Sequence, residues 1–135
     1  MTVFRVYADS AGDTHLATLA LPLVTTPGEE GVRQVRGLLD IPASSVGVVE
    51  MLDPLPGGDL HPAPARRLLV LLRGAYEIET STGETQRLRP GDCLLADDLV
   101  GKGHRTRDVG DERVAWVAIH IGSDWQAPAG TEVQQ

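Results

Sequence analysis

Three side chains between residues 61 and 104 are of types that can do chemistry together: His61, Arg67 and His104. An imidazole titrates near neutrality, so two of them can carry protons or offer nitrogen lone pairs to a metal ion. A guanidinium is a permanent cation that binds a carboxylate or steadies a developing oxyanion, and it repels a metal. Glu50, Tyr76, Trp116 and His120 are candidates to contact a small molecule beside them. With so few aromatic residues in the chain, Tyr76 and Trp116 either line a pocket or pack the core. His120 lies in a run whose alternate members Trp116, Ala118 and His120 share a face, and it is read either as a satisfied core histidine or as a further pocket residue. His15, beside a turn, is a surface histidine. Cys93 has no flanking base to activate it and is expected as a small buried residue rather than a nucleophile.

The elements that must position these side chains read as β throughout. Runs at 3–7 and 16–24 flank the turn cluster Ala8-Asp9-Ser10-Ala11-Gly12-Asp13 and predict an N-terminal hairpin or edge ribbon. Between 25 and 41 the spacing of Val32, Val35, Leu38 and Leu39 suits a short helical turn or an irregular surface segment. Strand signals then recur at 46–52, 67–73, 75–80, 85–88, 93–96 and 113–121, as in a sandwich or barrel. Residues 68–72 show no polar alternation, so that strand is expected to have apolar surroundings on both faces. Ser81-Thr82-Gly83-Glu84 is a turn between alternating runs, and Tyr76 and Ile78 alternate with Glu77 and Glu79. In the run Val46, Val48, Glu50, Leu52 the same alternation predicts an inward Glu50 that meets Arg66 or Arg67. A shift of one residue turns Met51 inward and leaves Glu50 solvated.

This pattern resembles the cupin superfamily, small jelly-roll β-barrels with a pocket inside, over roughly residues 46–121. The family's first motif, G-x5-H-x-H-x3,4-E-x6-G, finds its first histidine in His61 and its closing glycine in Gly74. Ala63 replaces the second histidine, Arg67 replaces the glutamate, and the opening glycine is displaced to Gly57 or Gly58. The second motif, G-x5-P-x-G-x2-H-x3-N, begins at Gly91 in the Pro90-Gly91-Asp92 turn. With two extra residues in the loop it places Gly101 and His104, while Leu99 stands for the proline and Asp108 for the asparagine. The chain is most similar to small single-domain members that read H-P-A-P-x-R-Q, where the glutamine position is Arg67 here. The resemblance implies an all-β, cupin-like jelly-roll barrel as a single domain over 1–135, with its core at about 46–121, a β-rich extension at 1–45 and a frayed tail at 126–135.

It also implies a metal, and there the residues depart from it. A divalent transition metal needs three or four N or O donors at about 2.0 to 2.2 Å. His61 and His104 supply two, Ala63 none, and Arg67 is a cation; His120 would have to complete any set. No cofactor is therefore favoured, although a divalent transition metal held by His61, His104 and His120 is the alternative.

Composition narrows the function classes. A formal net charge of -7 with scattered arginines gives no source of attraction to phosphate backbones, so nucleic acid is not an expected partner. Apolar runs fall far short of the ~20 residues that span a bilayer, and a single cysteine permits no intrachain disulfide. No charged n-region followed by an apolar h-region opens the sequence, so a cytoplasmic protein is expected. A homodimer through edge pairing is expected as well. The leading functional expectation is an enzyme of specialised metabolism of the isomerase, cyclase or lyase type. In it His61 and His104 move protons and Arg67 binds the carboxylate of a small organic, acidic substrate. The alternatives are a metal-dependent oxygenase or lyase and a noncatalytic binding domain.

Overall fold

Alternating short apolar runs, cut by turn residues, fold into three antiparallel or mixed sheets. The computed structural model describes residues 2–19, 23–31, 33–37, 41–122, 124–125 and 132–134. The first hairpin pairs β1 (Val3–Ala8) with β2 (Thr14–Leu19), its turn held by Asp9, whose side chain accepts from the backbone N–H groups of Ala11 and Asp13. β3 (Leu23–Pro27) and β4 (Arg33–Gly37) form a separate two-stranded ribbon joined through a 3-10 turn, Glu29–Gly31. The expected helical spacing from Val32 to Leu39 is thus a strand where it is described, at 33–37, and the 3-10 turn precedes it; residues 32 and 38–40 lie outside the described residues.

The rest of the chain builds two larger sheets. β5 (Ala43–Glu50), β6 (Pro56–His61), β7 (Arg67–Arg73), β8 (Tyr76–Thr80), β9 (Thr85–Leu88), β10 (Cys93–Asp97), β11 (His104–Asp108), β12 (Ala115–Ile121) and β13 (Glu132–Gln134) follow in order. One sheet has the order β13-β2-β1-β10-β7-β12-β5 and the other β6-β11-β8-β9. All-β architecture is therefore as expected, but the sheets remain two hydrogen-bonded units and do not close into a barrel. The predicted hairpin is not an edge ribbon either: β1 lies between β2 and β10, and β2 is covered by β13. Within the tail expected at 126–135, Glu132, Val133 and Gln134 register with Leu19, Thr18 and Ala17, while residues 126–131 and 135 lie outside the described residues.

The core sits between the two sheets. Phe4, Val6, Leu16, Leu71, Leu94 and Val114 pack there against Tyr76, Ile78 and Leu88 from the smaller sheet. Burying a side chain the size of Leu or Ile in this way is worth roughly 1.5–3 kcal/mol. A second cluster, Val3, Leu19, Cys93, Leu95 and Ile121, covers the opposite face of the large sheet. β7 lies between the two clusters, which explains its lack of alternation: Leu69 and Leu71 belong to the inner cluster, Leu68 and Val70 to the outer.

β5 corrects the expected facing of Glu50. The strand is at the edge of the large sheet and Val46 and Val48 are 65% and 75% exposed, so the apolar members of the alternation face outward. Glu50 goes with them and pairs with Arg73 at 2.5 Å instead of Arg66 or Arg67. Met51 turns in against the core.

Candidate functional site

Two neighbouring strands of the smaller sheet bring the predicted histidines together. His104 opens β11 and His61 ends β6, and the two are register partners with ring centroids 5.3 Å apart. A glycine makes the approach possible. Gly103 has φ of 80°, and a Cβ there would lie 2.0 Å from the backbone carbon of His61, so no other residue lets the strands close at this point. Its carbonyl accepts a 2.7 Å bond from the buried hydroxyl of Thr14, which ties the histidine strand to the N-terminal hairpin.

His104 is held from behind. It is 7% exposed, and its Nδ1 lies 2.5 Å from Oδ2 of Asp98, which is fully buried. With Nδ1 donating to Oδ2, Nε2 is the nitrogen without a protein partner on a ring that lines the cavity. Among the described residues Asp98 Oδ1 has no partner, so His104 is the sole side-chain donor to this carboxylate. The sequence reading missed Asp98. Its signal was the doublet Asp97-Asp98 at the end of an apolar strand, six residues before His104: a charge where β10 is buried needs a partner.

Between the sheets lies a cavity of about 210 Å³, with His61, Arg67, Tyr76, His104, Thr106 and Trp116 supplying its polar wall. Leu55, Ala63, Leu69, Leu94 and Ala96 supply apolar wall. Six of the strands converge here: β6 brings His61, β7 Arg67, β8 Tyr76, β10 Leu94 and Ala96, β11 His104 and Thr106, and β12 Trp116. Burial raises the pKa of the Tyr76 phenol, so it stays a hydroxyl donor. Arg67 Nε and Trp116 Nε1 are buried without a partner. Two hollows of about 240 and 310 Å³ exist elsewhere, but their charged walls are Glu77, Glu79, Arg105 and Arg107 in one and Asp53, Asp108, Asp111, Glu112 and Arg113 in the other, with no histidine in either.

The structure therefore gathers His61, Arg67, Tyr76, His104 and Trp116, and leaves out Glu50 and His120. His120 is the register partner of Arg67 across β12 and β7, half-buried and outside the cavity wall. Cys93 is buried as expected, and burial raises its pKa. His15 is a partly exposed residue bonded to Asp9 at 2.7 Å, with Glu84 nearby. His61 donates from Nδ1 to the carbonyl of Pro62 at 3.2 Å, which leaves its other nitrogen unbonded.

A metal would find two imidazoles in the cavity, His61 and His104, and the second already has the carboxylate contact that often supports a ligating histidine. The remaining polar wall is Arg67, Tyr76, Thr106 and Trp116, a cation and three neutral groups. No group of three or more His, Cys, Asp or Glu is placed to hold an ion among the described residues. Two donors beside a guanidinium do not meet the three- or four-ligand requirement of a transition metal.

Fold and cavity together define an all-β protein with a small, largely apolar chamber between its two larger sheets, its wall carrying a few polar side chains. No family model and no curated protein matches the chain.

Proposed function

We propose that the chamber is the acid-base centre of a small-molecule enzyme of the isomerase, cyclase or lyase type, built on a cupin-like jelly-roll plan. The observation that carries this is the buried 2.5 Å contact between Asp98 and His104, on the wall of a chamber that also receives His61. Asp98 fixes the ring so that Nε2 faces the substrate, and it stabilises the imidazolium that forms when Nε2 takes a proton. His104 then returns that proton to another atom of the same substrate, or to a leaving oxygen or nitrogen; the first outcome is an isomerisation and the second an elimination. His61, beside it, is the second proton carrier. Apolar wall residues limit water, which strengthens every charge interaction inside. The chemistry needs no metal, in keeping with the cationic Arg67 in the same wall.

The test is turnover in a complex mixture. Protein incubated with a metabolite extract, followed by untargeted mass spectrometry, should deplete at least one small molecule and accumulate an isomer or an elimination product. His104→Gln should slow that conversion by roughly 100-fold or more. Conversion that proceeds equally in His104→Gln, or binding of a metabolite with no conversion, would overturn the acid-base role.

A further inference from the structure

Arg67 opens β7 in the wall of the chamber, and no carboxylate belongs to that wall. Asp97 follows its register partner Ala96 on β10 and is saturated: Oδ2 accepts from Arg5 at 2.6 Å and Oδ1 from Arg66 at 2.6 Å. Asp98 is bound to His104, and Glu50 to Arg73. Among the described residues the Arg67 guanidinium has no counter-charge, and its Nε is buried without an acceptor. A cation half-withdrawn from water in an apolar wall is costly unless something neutralises it. The mismatch extends further along the same wall. The indole N–H of Trp116 is also buried without an acceptor. The chamber thus carries positive charge and surplus donors, with no protein carboxylate facing them.

We infer that the chamber takes a small organic monoanion, whose carboxylate pairs with Arg67 and whose second oxygen accepts from the indole N–H of Trp116. The volume of about 210 Å³ is below the 300–1,000 Å³ of drug-sized sites, so the ligand is a short-chain or single-ring acid. The inference deepens the acid-base role proposed for the same chamber and rests on it for the site, but not for the chemistry.

The experiment uses matched probes, benzoate against benzamide and a series of short monocarboxylates against their amides. The readout is the indole N–H resonance of Trp116 in ¹H-¹⁵N spectra, assigned with Trp116→Phe. Carboxylates should bind at least tenfold more tightly than their amides, and Arg67→Met should erase that preference while the spectrum stays folded. Should Arg67→Met not fold, Arg67→Gln makes the same test, and Arg67→Lys should retain part of the preference. Equal binding of acid and amide, survival of the preference without the guanidinium, or no probe shifting the Trp116 signal would each overturn the inference. His104→Gln should leave the preference intact. His104-dependent turnover without carboxylate preference sinks this inference alone, and the reverse pattern sinks the acid-base role alone.

Discussion

β8 and β11 present two faces with opposite electrostatics. On the outer face Arg105 pairs with Glu79 and Arg107 with Glu77, each at 2.6 Å and each between strict register partners. Arg105 holds the pKa of Glu79 below its usual value. On the inner face of the same strands, one residue along, stand Tyr76, His104 and Thr106, and across the chamber Arg67 and Trp116 have no acceptor among the described residues. The pleat makes this division, because successive side chains go to opposite sides. The outer face neutralises its own charges, whereas the chamber behind the inner face leaves the Arg67 and Trp116 donors of the facing sheet unmatched. A surface that satisfies itself supports the fold, whereas a wall that does not is prepared for something else.

The largest effect should come from pushing the two histidine strands apart. Gly103→Ala puts a Cβ at a left-handed φ into the backbone of His61, and should cost about 3 kcal/mol or more in urea unfolding. Gly91→Ala, where φ is also positive but nothing lies within 4 Å, should cost about 1 kcal/mol. Equal costs at the two positions would mean that the close approach at His61 is not a constraint. Next is Asp98→Ala, which leaves a buried imidazole without its partner and should cost roughly 2–4 kcal/mol. Asp98→Asn should fold better and still slow turnover, because the amide no longer stabilises the imidazolium.

Trp116→Phe sharpens the contrast from the other direction. It removes a buried N–H that has no acceptor while keeping an aromatic ring, so stability should change by less than about 1 kcal/mol while carboxylate binding weakens. On the outer face, Arg107→Ala should cost less than about 0.5 kcal/mol, since the pair is solvent-screened. The smallest effect is in pH. The bond to Asp9 raises the pKa of His15 above the ordinary imidazole value of 6.5. Its stabilising contribution is therefore complete below that value and is lost as pH rises through the raised folded-state pKa. His15→Asn should flatten that slope of the stability-pH profile and leave the chamber unaffected.

Much of this arrangement was legible in the sequence, for physical reasons. β7 was readable because an unbroken apolar run requires cover on both sides, and two clusters provide it. Tyr76 and Ile78 were readable because Glu77 and Glu79 mark the other face. Glu50 was misplaced because period-2 alternation fixes that residues share a face and not which face is inward; on an edge strand the apolar members were the exposed ones. His120 was grouped correctly with Trp116 along β12, but sharing a strand face does not set how far along it the chamber extends. Asp98 escaped because a carboxylate at a strand end reads as a turn residue until the sheets fold His104 onto it. The chain's β13 pairing was hidden in a short segment beyond Trp125 whose partner is more than a hundred residues away.

Side-chain ¹⁵N spectroscopy of His104 addresses the division between the two faces most directly. In the wild type at neutral pH, Nδ1 should carry the proton bound to Asp98 and Nε2 should be the nitrogen whose signal moves when benzoate enters the chamber. An Nε2-protonated ring, or an Nε2 signal indifferent to every carboxylate probe, would contradict a chamber organised around His104.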